Sequence, residues 1–376
     1  MEVATTRGIF PAAMRAIFVS QAYSEPGTRG KLRALCGLDC AVAAAVPAGP
    51  ARRTGGAAYG DDAGVLVAPV ATRQTATGRR WDARALRRLF AEFRPDLIQL
   101  EEPPTSPGAV TVSRAARHLG IPLVLFTGES VAHSITITER IRRHSVLRSV
   151  RGVMAENQVA GALIERVRPA LHAVVVPQLG VAVPPQQSPL ASAEFMIGFF
   201  GRLVPERGVD LLLRACVHLA GSWRLELVGT GPAQEELESL AARLGIAARV
   251  TWHGALPHEA LLDVWRKLHC VVLPSRSTPH WVEPVGRAAL EGMARSVPVV
   301  ATRSGALPDV VGSAGLLVPE DDVPALTGAL QELHDDAALR GILGAEGRRR
   351  VLSQFSDEAV ARRTLAFWRS LLTESP

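Results

Sequence analysis

A chain of 376 residues, 47% of them apolar and 21% charged, is long and apolar enough for two ordinary folded domains, which excludes disorder and fibrous repeats. The net charge is +6, and all but Lys31 and Lys267 of the 42 basic residues are Arg, so an anionic partner fits and bidentate phosphate contacts suit it. Two Tyr and no interleaved aromatic–basic string argue against nucleic acid, no apolar run approaches the ~20 residues of a membrane span, and four Cys without a CxxC pair read as buried thiols of a reducing, cytoplasmic compartment.

Residues 1–13 read as a loose tail, and Met14 offers an alternative start. The stretch Ile9 to Val19 is broken by Pro11 and Arg15, so no signal peptide is expected. Apolar runs at Ala16–Val19, Ala41–Val46, Val65–Val70, Leu97–Leu100, Leu123–Phe126, Val153–Ala155 and Val174–Val176 predict parallel strands. Helical patterns alternate with them over Lys31–Leu38, Asp82–Phe93, Ala109–Leu119, Ser134–Ser149 and Val159–Val167. Asp82 is placed to cap its helix and Gly120 to stop another. Ala51 to Gly64 has no period and reads as a surface loop. Pro177 to Ser192, rich in Pro, Gln and Ser, reads as a linker.

The second half repeats the rhythm. Strands are expected at Met196–Phe200, Arg224–Val228, Val250–Trp252, Cys270–Leu273, Val297–Ala301 and Leu316–Val318. Helices are expected at Asp210–Ala220, Gln234–Leu244, His258–Leu268, Val323–His334 and Ala338–Phe355, with a last amphipathic one carrying Val360, Leu365 and Trp368. The whole is an α/β chain of two doubly wound, Rossmann-like units.

The chemistry concentrates between Ser275 and Gly305. A buried strand ends at Pro274, a loop follows, and Glu283-Pro284 reads as a helix start. Seven residues separate Glu283 from Glu291, about 12 Å along a helix axis. Free amides of Val285 and Gly286 at that mouth would hold an anion, and Gly286 admits close approach to the backbone. Amides for an anion beside two acidic acceptors suit a sugar joined to a diphosphate.

These residues, with Gly201-Arg202-Leu203-Val204-Pro205-Glu206-Arg207-Gly208, Val228-Gly229-Thr230-Gly231, His253-Gly254 and Gly305-Ala306-Leu307-Pro308-Asp309, resemble a GT-B glycosyltransferase of the large retaining family 4. The likeness is dense over 196–335 and looser before 190. It implies two lobes facing a cleft: an acceptor-side lobe at 14–188, a nucleotide-sugar lobe at 189–355, and a helix over 356–376 returning to the first lobe. It implies Arg202 and Arg207 at the donor phosphates, although the family pattern has Lys at the second position. Glu283 would receive the donor sugar's hydroxyls and Glu291 the ribose. Gly201, Gly229, Thr230 and Gly231 would let the backbone approach the nucleotide; Gly254 and Ala255 would line the base; Val285 and Gly286 would act through their amides. His280 and Trp281 would lie near the sugar or at its rim.

In the first lobe the resemblance thins. Thr127, Gly128 and Glu129 stand where family members carry a His or Asn near the anomeric carbon, with His133 as a substitute. Gly27 and Arg29 after the first strand, and Glu101 after the fourth, are the acceptor-side candidates. The donor expected from the resemblance is a UDP-sugar, with no cofactor and no metal, since no Asp-x-Asp follows a strand. The acceptor is expected to be a natural-product scaffold or, as the alternative, a cell-envelope polysaccharide or glycolipid, with peripheral membrane contact at most. A phosphorylase is disfavoured, because neither Lys31 nor Lys267 suits pyridoxal phosphate. An epimerase lacks the transferase string, and a non-catalytic nucleotide-sugar-binding subunit remains the reading from another class.

Overall fold

The computed structural model describes residues 14–48, 59–186 and 193–373. The expected tail at 1–13 and the ends of the Ala51 loop and the linker at 51–58 and 187–192 lie outside them. The first lobe runs β1 (Met14–Val19), α1 (Gly30–Cys36), β2 (Cys40–Pro47), β3 (Gly60–Asp62), β4 (Val65–Val70), β5 (Thr72–Thr75), β6 (Gly78–Trp81), α2 (Ala83–Phe93), β7 (Leu97–Leu100), α3 (Pro107–His118), β8 (Leu123–Thr127), α4 (Ile137–Leu147), β9 (Gly152–Ala155), α5 (Gln158–Val167) and β10 (Ala173–Val175). The second continues with β11 (Phe195–Phe200), α6 (Val209–Val217), β12 (Trp223–Val228), α7 (Gln234–Arg243), β13 (Val250–Gly254), α8 (His258–Lys267), β14 (Cys270–Leu273), α9 (Arg287–Ala294), β15 (Val299–Thr302), α10 (Leu307–Val311), β16 (Gly315–Val318), α11 (Val323–Asp335) and α12 (Ala337–Gln354). The chain closes with α13 (Asp357–Thr373).

Two sheets result, ordered β10-β9-β8-β7-β1-β2-β4-β3 and β13-β12-β11-β14-β15-β16. All their pairings are parallel except β3 against β4. Central strands covered on both faces must be apolar throughout, and Ala16 to Val19 and Val271 to Leu273 are buried accordingly. Strand order reverses at β1 and at β11, so both sets of carboxyl-end loops open where ligands sit in such sheets.

The expected elements form within a few residues of their predicted ends. Asp82 caps α2 by accepting from the Ala85 amide at 2.7 Å. Gly120 follows α3 at φ +66°, a conformation a side chain would strain. Two features differ from expectation. Part of the predicted Ala51–Gly64 loop pairs as β3, and β5 and β6 form an antiparallel hairpin that breaks the α/β alternation. Their short polar strands, Thr-Arg-Gln-Thr and Gly-Arg-Arg-Trp, carry no apolar alternation to announce them.

The last helix packs on the first lobe. Val360, Ala361, Leu365 and Trp368 join the core of Phe18, Leu32, Val124 and Met154. The Trp368 ring lies 5.4 Å from Phe18 and its indole N–H donates to Gln99 Oε1 at 2.9 Å. The chain crosses between lobes at two adjacent points, where the Val181 amide donates to the Phe355 carbonyl at 2.9 Å and that of Asp357 to the Val181 carbonyl at 3.3 Å. Among the described residues no helix is long and apolar enough to cross a membrane.

Candidate active site

Three strand ends build the floor of the site in the second lobe. Gly201 follows β11, Gly229 and Thr230 follow β12, and Gly254 ends β13. The Gly229 amide donates to the Gly254 carbonyl at 2.8 Å and the Leu203 amide to the Thr230 carbonyl at 3.0 Å, so the three loops lock edge to edge. Gly229 sits at φ +134°, and a Cβ there would fall 1.8 Å from the Gly201 carbonyl oxygen. Gly229→Ala therefore has to pull this floor apart. Nucleotide affinity measured by titration calorimetry is expected to fall at least tenfold, by about 1.4 kcal/mol, and unchanged affinity would remove these loops from the site.

Glu283 is 2% exposed. One of its oxygens is ion-paired with Arg207 and accepts the Ser275 hydroxyl at 3.0 Å; the other accepts the Gly286 amide at 3.2 Å. The Arg207 guanidinium also lies 5.3 Å from the centre of the Trp281 ring, a cation held against a π face. Arg202, in the same loop as Arg207, is exposed, and its side chain makes no hydrogen bond or ion pair among the described residues. Arg276 fixes the loop after β14 with two 2.8 Å bonds to Asp210 and one of 2.5 Å to Asp321.

The expected helix start at Pro284 is corrected. Gly286 lies at φ +70°, left-handed backbone that cannot sit inside a right-handed helix, and α9 begins at Arg287. Glu283 thus lies in the turn before the helix, and the Gly286 amide, expected to face an anion, is taken by the Glu283 carboxylate. The first-turn amides from Arg287 onward lack helical acceptors by construction. Glu291, a turn into α9, is half-buried and paired with Arg287 at 3.0 Å. Ala255 is exposed beside the half-buried Gly254, and His280 lies on the exposed rim.

Two first-lobe acceptor candidates are committed to the fold instead. Glu101 is buried and accepts from Tyr23 at 3.1 Å, Lys31 at 3.4 Å, Gln99 at 2.7 Å and Gln178 at 2.9 Å. Arg29 is buried, donating to the Tyr23 and Ser24 carbonyls and to Asp62, each at 2.8 Å. Both follow strands, but their side chains turn inward, which spacing alone does not reveal. Gly27 lies exposed in a turn. Thr127 ends β8 buried; Glu129 and His133 stand on the loop beyond it. Desolvation raises the Glu129 carboxyl above its usual range, against the pull of His133 and Arg143.

The structure adds a residue that the sequence reading passed over. Glu156, directly after β9, lines a cavity of about 230 Å³ between the lobes, together with Asn157, Pro284, Val285, Asp309 and Arg363. Asn157 Nδ2 donates across the lobes to the Pro284 carbonyl at 3.0 Å. Its signal was present: an acid immediately following the apolar run Val153–Ala155, at a strand's carboxyl end. Burial raises Glu156 to about 7 from 4.5, opposed by the Gln178 amide and Lys31 and aided by Glu101. A carboxyl raised on folding favours the folded state fully below pH 4.5, and that contribution is lost as pH rises through about 7. Glu156→Gln is therefore expected to melt with wild type near pH 4 and above wild type at pH 8. Parallel melting curves at all pH values would contradict the assignment.

Among the described residues no group of three or more His, Cys, Asp or Glu could hold a metal ion. Residues 194–336 match the family model of glycosyl transferases group 1. The match covers the C-terminal lobe and leaves the first lobe outside it. Over 158 residues the chain is 36% identical to a GDP-mannose-dependent phosphatidylinositol monomannoside mannosyltransferase of Mycolicibacterium smegmatis, covering 39% of this chain and 40% of that protein. It is 36% identical over 149 residues to the 2-deoxystreptamine N-acetyl-D-glucosaminyltransferase of Streptomyces fradiae, covering 38% and 34%. The match thus spans less than half of these relatives. The HepE structure from Anabaena, in complex with UDP-glucose, aligns with a TM-score of 0.70 at 18% identity over 95% of this chain and all of that one. The chain has the GT-B fold, and the Gly229 floor and the Arg207–Glu283 pair both lie inside the matched residues.

Proposed function

We propose that this protein is a retaining, metal-independent glycosyltransferase that moves a sugar from a nucleotide diphosphate-sugar to an acceptor hydroxyl. The observation that carries this reading is the Arg207–Glu283 pair, set beside the α9 mouth and the glycine floor. In the proposed reaction the anomeric C–O bond to the phosphate breaks, and the acceptor oxygen bonds to the same face of the sugar. The acceptor proton passes to the leaving phosphate oxygen. Arg202 and Arg207 meet the charge gathering on the diphosphate, and open amides at α9 add fixed dipoles. Glu283 orients Arg207; Glu291 accepts from the ribose.

A UDP-sugar is the proposed donor, supported by the HepE complex, whose bound nucleotide-sugar is UDP-glucose. The proposed acceptor is a soluble natural-product scaffold, consistent with the 2-deoxystreptamine named for the S. fradiae relative. A second reading, a glycolipid acceptor, is favoured by α4. Ile137 and Ile141 on that helix are 76% and 64% exposed, one turn apart, with Arg140 between them. Such an apolar and basic stripe suits a lipid surface. It fits the peripheral membrane contact that the sequence allows.

The test is a panel of UDP- and GDP-sugars with EDTA present, read by melting temperature and sugar release. A UDP-sugar is expected to raise the melting temperature and to be hydrolysed slowly without metal. Glu291→Ala is expected to weaken that donor about tenfold, the loss of one charged acceptor, on the order of 1.5 kcal/mol. A strict requirement for a divalent ion would overturn the metal-free mechanism, and no response to any nucleotide sugar would overturn the function.

A further inference from the structure

The first lobe carries a second hollow, of about 750 Å³, walled by the β5–β6 hairpin, α2, α3 and α4. Five guanidinium groups line it: Arg73 and Arg80 from the hairpin, Arg87 from α2, Arg114 from α3 and Arg142 from α4. Among the described residues none of the five is in an ion pair. Arg142 donates to the Thr77 hydroxyl at the hairpin tip at 2.8 Å. The one acid in the lining, Asp82, spends an oxygen on the Ala85 amide as the cap of α2. Nearby Glu102 is turned away, accepting from Trp81 at 2.7 Å and Ser106 at 3.0 Å.

Two of these arginines oppose each other. Arg73 and Arg80 are cross-strand partners in the hairpin, so their side chains leave the same face at adjacent positions. Like charges so placed destabilise a two-stranded ribbon, and a two-stranded ribbon has little stability of its own. Some surface arginines elsewhere in this chain are paired: Arg88 with Glu92, Arg33 with Asp62, Arg224 with Glu194. Five cations without an ion pair around one concavity, with only Glu139 acting on Arg142 from its own helix, make a site open to a counter-charge. Its planar forks suit pairs of phosphate oxygens.

We infer that this hollow binds a phosphate-bearing ligand, either a soluble phosphorylated compound or the headgroup of an anionic lipid. The site is independent of the donor pocket: none of the five arginines lies within residues 194–336. Bound phosphate cancels the Arg73–Arg80 repulsion and ties the hairpin to three helices.

The test uses the full chain, the exposed-site variant Arg80→Ser/Arg114→Ser and, as a donor-pocket control, Arg202→Ala. Each is titrated at low salt with inorganic tripolyphosphate, and sedimented with phosphatidylcholine vesicles with or without phosphatidylglycerol. The wild-type chain is expected to bind one of the two probes, and the double variant to bind it at least about tenfold more weakly, as the loss of two charge-assisted contacts requires. Arg202→Ala is expected to keep that binding. Capture by phosphatidylglycerol vesicles alone assigns the hollow to a lipid headgroup; tripolyphosphate alone assigns it to a soluble phosphate. Without anion, the double variant is expected to melt at or above wild type, because repulsion is relieved; a purely structural role for these arginines would lower it. Absence of binding to both probes, or binding that survives in the double variant and vanishes in Arg202→Ala, overturns the inference.

Discussion

Arg207→Ala is expected to lower turnover of the proposed donor by two to three orders of magnitude, the usual consequence of removing a fixed charge from a site where negative charge develops. A second loss accompanies the first. The substitution strands the Glu283 carboxylate, 2% exposed, with only the Ser275 hydroxyl and the Gly286 amide as donors. Breaking a buried pair from one side costs on the order of 3–5 kcal/mol; because Arg207 is itself a quarter exposed, the lower end is expected. Denaturant unfolding separates the two losses. Arg207→Ala/Glu283→Gln removes the stranded charge, so it is expected to recover stability while turnover stays low. Arg207→Lys tests the family pattern noted in the sequence: it restores charge without the fork, and partial turnover is the expected result. Turnover of Arg207→Ala within threefold of wild type would sink the assignment.

Trp368→Ala is expected to produce the largest stability loss. Trp368 is fully buried, packs on Phe18 and donates to Gln99, whose amide in turn donates to Glu101 at 2.7 Å. Removing the indole opens a cavity between lobe and helix, typically about 3–5 kcal/mol for Trp→Ala. It also breaks into the polar group that holds buried Lys31. Trp368→Phe keeps most of the volume and loses the hydrogen bond, for roughly 1–3 kcal/mol from the unsatisfied Gln99 oxygen. Urea unfolding followed by tryptophan fluorescence and circular dichroism gives both values. Equal midpoints for wild type and Trp368→Ala would mean that α13 does not lock onto the first lobe.

The sheets were legible because parallel strands buried on both faces must be apolar runs, and Ala16–Val19, Val65–Val70 and Cys270–Leu273 stand out as such. The hairpin was not, because polar strands such as Thr72–Thr75 have no pattern of their own and are held by what surrounds them. In the site, glycines were the most readable residues. Gly201, Gly229 and Gly254 occupy places where backbone meets backbone, a demand that leaves its mark on the sequence. Charged residues were less readable. Glu101, Arg29 and Glu156 each follow a strand, yet two turn into the fold and the third lines the space between the lobes. Side-chain direction depends on partners far along the chain: Gln178 and Lys31 for Glu101, Asp62 for Arg29. The Gly286 turn was missed because Pro284 is equally at home one residue inside a helix or in the turn before it.

The return of α13 to the first lobe has a consequence for biosynthesis. Phe18, Gln99 and Gly152 emerge from the ribosome before the whole second lobe, and the helix that covers them follows that lobe. The first lobe is therefore completed only once α13 has been made, while the second lobe can already assemble on the growing polypeptide. Until then an apolar face stays uncovered, open to chaperones or to association with other nascent chains.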